Sequence, residues 1–325
     1  MKTRVIIMNE QGAPSVMQEQ TVELRSPGPG EVQLRQTAIG LNYMDVYQRS
    51  GYYPMATPTG LGLEGAGVIE AIGEGVTDFK PGDRAAYGGA APGGYAESRN
   101  IAANRLVAIP DGISDEQAAA VMLKGMTAEY LLNRTYPVKP GEDVLFWAAA
   151  GGVGLLAGQW GKAIGARMIG IAGGPEKCAL ARAHGYADVI DRNAEDVVAR
   201  VKELTGGAGV PVVYDSIGKA TFDQTMDCLG SRGFFVSFGT TSGTVPPVMA
   251  ADLQHRGSLY FCRPTLASYC AARDDLVNSA AAVFAMIEKG ALKIEINQRY
   301  QLADIIQAHS DLEDGRTSGS TIITP

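Results

Sequence analysis

"LFWAAAGGVGLLAGQW", residues 145–160, joins a short apolar run to a glycine-led one. Gly152, Gly154 and Ala157 fit G-x-G-x-x-A, the spacing of a dinucleotide-binding turn. Such a turn needs a strand before it, a helix after it, and glycines where backbone approaches phosphate. Here "VLFW" reads as the strand and "LLAGQWGKAIG" as the helix. The pyrophosphate is expected at the helix N-terminus, where unpaired N–H groups and the dipole favour an anion. A rival run, "GLGLEG" at residues 60–65, is a literal G-x-G-x-x-G with Gly60, Gly62 and Gly65. It leads into "AGVIEAIGEGV", a strand heading into a turn. With no helix behind it, this run is not read as the phosphate site.

Around the 145–160 stretch the chain alternates strand and helix. "DVLFW", "RMIGIAG", "ADVID", "PVVYDS", "GFFVSFG" and "SLYFCR" read as strands. "PEKCALARAHG" and "AEDVVARVKELTGG" read as helices between them. This rhythm implies parallel βαβ units, an α/β fold with a doubly wound sheet. The first 120 residues differ. "RVIIM", "EVQLRQTAI", "GAGVIEAIG", "DRAAY" and "YAESRNIAA" are short strands divided by turns such as "PGPG" and "KPGD". "SDEQAAAVMLKGMTAEYLLNR" is helical, with Ser114 and Gln117 at capping-box spacing. The last 60 residues hold two helices, a Gly/Ser-rich turn and a final strand. The plan is an irregular β domain interrupted by a Rossmann domain.

An NAD site carries Asp or Glu at the end of the second strand, on the ribose hydroxyls. Here that strand ends "IGIAGGPEK", with Gly173 and Gly174 in place of a carboxylate. Lys177 and Arg192 stand close by and suit a dianionic 2′-phosphate. NADP(H) is therefore the expected cofactor.

The 325 residues suffice for two domains, and 46% of them are hydrophobic against 19% charged. The net charge of -7, with no basic block, disfavours nucleic acid as a partner. No run of apolar residues is long enough to span a membrane, and "MKTRVIIMNEQG" is too short in its apolar part for a signal peptide. Cys178, Cys228, Cys262 and Cys270 form no C-x-x-C and read as reduced thiols of a cytoplasmic protein.

The chain resembles the zinc-independent quinone oxidoreductases, the zeta-crystallin-like branch of the medium-chain dehydrogenase/reductase superfamily. The resemblance is carried by "AIGLNYMDVYQRSGYYP", "GLEGAGVIEAIGEGV", "KPGDRAAY", "AAAGGVGLLAGQWGKAIGA", "VVYDSIG", "VSFG" and "GRTSGS". It implies a GroES-like catalytic domain over residues 1–123 and 266–325, and an NADP(H)-binding Rossmann domain over 124–265. It also explains the glycine run at 60–65. Zinc-containing relatives read G-H-E-x-x-G there, and their His is a ligand. This chain has Leu63 in that place and Asn42, no thiol, upstream. Leucine cannot coordinate zinc, and His184, His255 and His309 are far apart, so no metal site is expected. Glu64 reads as a structural carboxylate kept from the shared architecture.

The implied reaction is reduction of a quinone by NADPH, with hydrogen-bond donors near the quinone oxygens. The resemblance places Asn42, Asp45 and Tyr47 at the nicotinamide, with Tyr53 nearby. Asn42, Tyr47 and Tyr53 are the catalytic candidates. Lys124 and Thr127 are implied at the nicotinamide ribose and pyrophosphate. The remaining cofactor contacts are Ala150, Gly151, Gly152, Val153, Gly154, Gly173, Gly174, Lys177, Arg192, Ser216, Gly218, Phe238, Gly239, Ser242, Arg263 and Arg316. Family members often carry Tyr where Arg192 stands and Lys where Ser320 stands. A homodimer is implied, with "GSLYFCRPT" suited to pair across a twofold. Two other readings stay open: NADPH-dependent reduction of enal or enone C=C bonds, and a crystallin-like structural or AU-rich RNA-binding role.

Overall fold

The computed structural model describes residues 1–325. The chain divides into two compact units, Met1–Met126 with Cys270–Pro325, and Thr127–Tyr269.

In chain order the first unit opens with strands β1 (Lys2–Met8), β2 (Met17–Glu23) and β3 (Glu31–Gly40) and the short helix α1 (Tyr43–Ser50). Strands β4 (Thr59–Gly60), β5 (Glu64–Ile72), β6 (Arg84–Gly88), β7 (Ser98–Ala102) and β8 (Val107–Ala108) come next. Helix α2 (Asp115–Tyr130) begins with the capping box expected from its spacing. Ser114 N–H donates to Gln117 Oε1 and Gln117 N–H to Ser114 Oγ. A π-helical turn, Leu131–Thr135, extends it. The second unit holds β9 (Asp143–Trp147), α3 (Gly152–Ile164), β10 (Arg167–Ala172), α4 (Pro175–Ala183), β11 (Asp188–Asp191) and α5 (Val197–Leu204). It continues through β12 (Val210–Asp215), α6 (Phe222–Cys228), β13 (Leu229–Ser237), α7 (Ala250–His255), β14 (Tyr260–Cys262) and α8 (Leu266–Tyr269). The chain returns to the first unit with α9 (Arg273–Glu288), β15 (Ile296–Gln301), α10 (Ile305–Glu313) and β16 (Ser320–Thr324). No helix is long and apolar enough to cross a membrane.

Alternation decides the first unit. Along β3, Val32, Leu34, Gln36 and Ala38 are buried at every second position. Val32 and Leu34 pack with Ile69, Phe79, Tyr87 and Leu106. Gln36 is the polar member of that row, and its hydrogen-bonding is met inside. Its Nε2 donates to Gly94 O (2.8 Å) and Ala96 O (2.6 Å), and its Oε1 accepts from Tyr87 OH. A buried amide left unpaired would cost about 1–3 kcal/mol.

The six strands of the second unit run in the order β11-β10-β9-β12-β13-β14, and every pairing is parallel. Strands buried on both faces are continuously apolar, as "DVLFW" and "RMIGIA" are beyond their first residues. Leu145, Trp147, Ile169 and Ile171 pack against Val197 and Val201 of α5 and Phe222 and Met226 of α6. Each such side chain contributes about 1.5–3 kcal/mol. The order reverses between β9 and β12. That is the switch point of a doubly wound sheet, and ligands bind beyond the carboxyl ends of its strands.

Candidate active site

Three neighbouring strand ends build the site in the second unit. After β9 the backbone turns sharply. Ala148 is held at φ 55, and Gly151 N–H closes on Ala148 O at 2.9 Å. Helix α3 then starts with no side-chain cap on Gly151 and no acidic residue in its first turn. Its first N–H groups are thus left for an exogenous acceptor. Gly154 cannot be anything larger. A Cβ there would lie 2.4 Å from Ala148 O and 2.6 Å from Ala149 O. Tyr186 OH donates to Gly154 O (2.8 Å) and fastens the turn from the protein side. Ala150, Gly151, Gly152, Val153 and Gly154 are therefore one structural unit. The donor set and the backbone cradle fit a dinucleotide pyrophosphate.

At the end of β10, Gly174 adopts φ 86 and donates its N–H to Asp191 Oδ1 (2.8 Å). Asn193 N–H reaches the same oxygen at 3.0 Å. These two backbone bonds hold the Asp191 carboxyl below the usual carboxylate range. The Arg192 guanidinium lies alongside, with its Nε 3.1 Å from where a Gly173 Cβ would stand. Lys177 is half-buried in the first turn of α4. Asp191, the carboxylate beside Gly174, is occupied by backbone N–H groups. Arg192 remains exposed beside the two glycines.

At the end of β12, buried Asp215 accepts from Ile217 N (2.6 Å), Gly218 N (3.1 Å), Thr221 Oγ1 (2.6 Å) and Thr225 Oγ1 (2.9 Å). Burial raises its pKa, against the pull of these four donors. The carboxylate shapes the loop carrying Ser216 and Gly218. That loop is tied to the end of β13: Ser242 N–H and Oγ both donate to Ile217 O at 2.8 Å. Gly239 is required there, since a Cβ would lie 2.4 Å from Ser216 O. Arg263 Nη1 donates to Ser237 O (2.9 Å) at the same strand end. Ser216, Gly218, Gly239, Ser242 and Arg263, with half-buried Phe238, thus belong to one loop cluster.

The first unit gathers a different set. Glu64, fully buried at the start of β5, accepts from Asn42 Nδ2 (2.8 Å), Leu123 N–H (2.7 Å) and Lys124 Nζ (3.0 Å). Leu63, also buried, stands beside it. A carboxylate so engaged is no metal ligand, and no group of three or more His, Cys, Asp or Glu is placed to hold a metal ion. The side chains here do not fit a zinc centre.

Asn42 caps α1, and Asp45 Oδ2 accepts its backbone N–H at 2.9 Å. The same oxygen accepts from Tyr95 OH (2.7 Å), which lies 3.0 Å from His309 Nε2. Tyr95 spends its single proton on Asp45, so His309 is assigned as the Nε2–H tautomer donating to the phenol oxygen. Burial pushes Asp45 up to about 7 and His309 down to about 3. Asp45 Oδ1 and His309 Nδ1 have no partner. Tyr47 is the hub of an aromatic group. Its ring centroid is 5.1 Å from Tyr43, 5.1 Å from Tyr52 and 5.6 Å from Tyr53. Tyr47 is buried and Tyr53 half-buried.

Asn42, Asp45 and Lys124 are thus brought together, and Tyr47 meets Tyr53. Thr127 is buried three residues beyond Lys124 on α2. Arg316 is exposed and paired with Asp311 and Asp314, each at 2.7 Å. Sequence reasoning missed α1 as a helix and missed Tyr95, His309, Asp191 and Asp215 as organising groups. Asn42, Asp45 at N3 and the left-handed Gly51 after the end were the available signal for α1.

The pattern of the alcohol dehydrogenase GroES-like domain matches residues 28–111, and that of the zinc-binding dehydrogenases matches residues 152–274. A GroES-like unit joined to a doubly wound unit with an uncapped, glycine-led helix at its switch point is a medium-chain dehydrogenase/reductase. A quinone oxidoreductase of Pseudomonas aeruginosa is 51% identical over 97% of both chains. The chain belongs to the quinone oxidoreductase family. The crystal structure of Escherichia coli quinone oxidoreductase complexed with NADPH superposes with a TM-score of 0.97, at 44% identity, covering 99% of this chain and 100% of that one. A 2-haloacrylate reductase from Burkholderia is 38% identical over 98% of both chains.

Proposed function

We propose that the chain is an NADPH-dependent reductase of quinones. The observation that carries the reading is the turn at Ala148–Gly154, where an uncapped helix start and a glycine that tolerates no Cβ leave backbone N–H groups for a pyrophosphate. Arg192 and Lys177 take the 2′-phosphate, with Asp191 already engaged by backbone. Ser216, Gly218, Phe238, Gly239, Ser242 and Arg263 line the rest of the dinucleotide. Full-length similarity to quinone oxidoreductases, one of them crystallised with NADPH, supports both cofactor and acceptor.

NADPH supplies the hydride when bound. The protein's own task is to bind, orient and exclude water. Asn42 and Lys124 offer N–H donors to the nicotinamide half. Tyr47 and Tyr53 present phenol rings that pack on a flat acceptor and donate to its oxygens as negative charge develops. No metal is needed as a Lewis acid, because a quinone becomes an aromatic hydroquinone. The protein acts as a homodimer through the edge of β14, where Tyr260 is exposed and stacks on Phe234. Its four cysteines form no disulfide and suit a reducing cytoplasm.

Initial rates with 1,4-benzoquinone, 1,2-naphthoquinone and 2-enals, each with NADPH and with NADH, test the reading. Quinones with NADPH are expected to give the highest kcat/KM. Equal efficiency with NADH removes the 2′-phosphate role of Arg192. Faster turnover of 2-enals or 2-haloacrylate favours the second reading, C=C reduction, which the similarity to a 2-haloacrylate reductase supports.

A further inference from the structure

We infer that Glu64 is a positioning residue for the nicotinamide half of the cofactor, acting through Asn42 and Lys124. This rests on the proposed NADPH reading, in which those two residues serve the nicotinamide. Three donors from two segments converge on this one carboxylate: the Asn42 amide before α1, and the Leu123 N–H and the Lys124 ammonium within α2. A fully buried carboxylate needs a countercharge and hydrogen-bond donors, and Glu64 draws two of them from the very groups that the proposed reading sets at the nicotinamide. Space is made for it by Gly40, where a Cβ would come 2.1 Å from Glu64 Oε2 and 2.4 Å from Ala119 O. Gly88 lets α2 approach as closely, since a Cβ there would lie 2.7 Å from Leu123 N.

What the cluster leaves over is chemically one-sided. Glu64 Oε2 takes one of the two Nδ2–H bonds of Asn42 and one of the three ammonium N–H bonds of Lys124. The remaining N–H bonds of both groups are all donors. The Glu64–Lys124 pair is neutral overall and nearly inaccessible, with side-chain exposures of 0% and 7%. The lysine therefore offers directed N–H bonds without a bare charge. Such a set recognises neutral oxygens, the ribose hydroxyls and the carboxamide of the nicotinamide nucleoside, better than it recognises phosphate. Glu64 itself touches none of these. It fixes the amide's rotation and the ammonium's reach.

The test compares Glu64→Gln with the wild type by isothermal titration of NADPH and of 2′,5′-ADP, which lacks the nicotinamide half. Glutamine keeps the shape but turns an N–H toward donors. NADPH binding is expected to weaken about fivefold or more, with 2′,5′-ADP changed by less than about twofold. In the background of Asn42→Ala, Glu64→Gln is expected to have a smaller effect than in the wild type, because part of its action is already lost. Equal weakening of both ligands, or no weakening of either, overturns the inference and leaves the NADPH reading standing. A wild type that binds neither ligand overturns the NADPH reading itself. If Glu64→Gln does not fold, Glu64→Asp makes the same comparison with the charge kept and the reach shortened by one methylene.

Discussion

The two glycine-rich runs, residues 60–65 and 151–154, make room for opposite things. Around the first, the space is filled by the protein. A Cβ on Gly62 would lie 2.6 Å from the ring of Tyr95, one on Gly65 2.4 Å from Gln36 Oε1, and one on Gly60 2.9 Å from Gly93 Cα. Around the second, the near neighbours are carbonyls of the same turn: Ala148 O and Ala149 O at Gly154, and only Ala148 O within close range of Gly151. One run brings strands and side chains together. The other bends a backbone tightly so that its N–H groups face outward. A glycine pattern therefore states only that something approaches closely; the next element along the chain decides whether it is the chain itself or a ligand.

Substitution tests this contrast. Gly62→Val meets both a left-handed backbone at φ 90 and the Tyr95 ring, and is expected to lower stability by more than about 3 kcal/mol, seen as a fall in urea midpoint. Affinity of the folded fraction for 2′,5′-ADP should be unchanged, and a selective loss of that affinity would break the contrast. Gly154→Ala should cost about 1–3 kcal/mol and also abolish measurable NADPH binding by calorimetry.

The space that Gly62 leaves is taken by Tyr95, the link between Asp45 and His309, and this sharpens the inward character of the first run. From its ordinary 3.8, Asp45 is raised to about 7, so over that interval the folded chain keeps a proton the unfolded chain has lost. Its contribution falls as pH rises. From its ordinary 6.5, His309 is lowered to about 3, so the unfolded chain gains the proton first. Its contribution falls as pH drops. The two oppose each other between about pH 4 and 6.5. Asp45→Asn should therefore show stability rising with pH relative to His309→Gln, with slopes differing by up to about 2.7 kcal/mol per pH unit. Urea midpoints across that range measure it, and parallel slopes would show that the pair does not titrate as described. The smallest effect on the fold is expected at Gly151→Ala, where a Cβ meets Ala148 O at 3.1 Å. Stability should stay within about 1 kcal/mol, while NADPH affinity drops on the order of tenfold because the methyl enters the space of the phosphates.

Distance along the chain set how much could be read from the sequence. The turn at 151–154 was legible because strand, glycines and helix are contiguous. The parallel sheet was legible from apolar runs such as "DVLFW". The partners of Asp45 were not, because Tyr95 lies 50 residues away and His309 a further 214. Strand β2, "MQEQTVE", escaped notice because only Met17 is buried and the rest of it faces solvent or is half-covered. Helix α1 escaped because its buried face includes Asp45 and Arg49, which no hydrophobic period reveals. Arg49 is 1% exposed and paired with Glu313 at 2.6 Å, a partner from the far end of the sequence.

Both tryptophans of the chain lie in the second unit, on either side of the turn at 148–154. Trp147 ends β9, 1% exposed and with an indole N–H that has no partner, and Trp160 sits on α3, 4% exposed. The first unit has tyrosines but no tryptophan. Excitation near the red edge of indole absorption therefore reads out the nucleotide-binding half alone. The melting of that half can be set beside the melting of the whole chain, without adding a label.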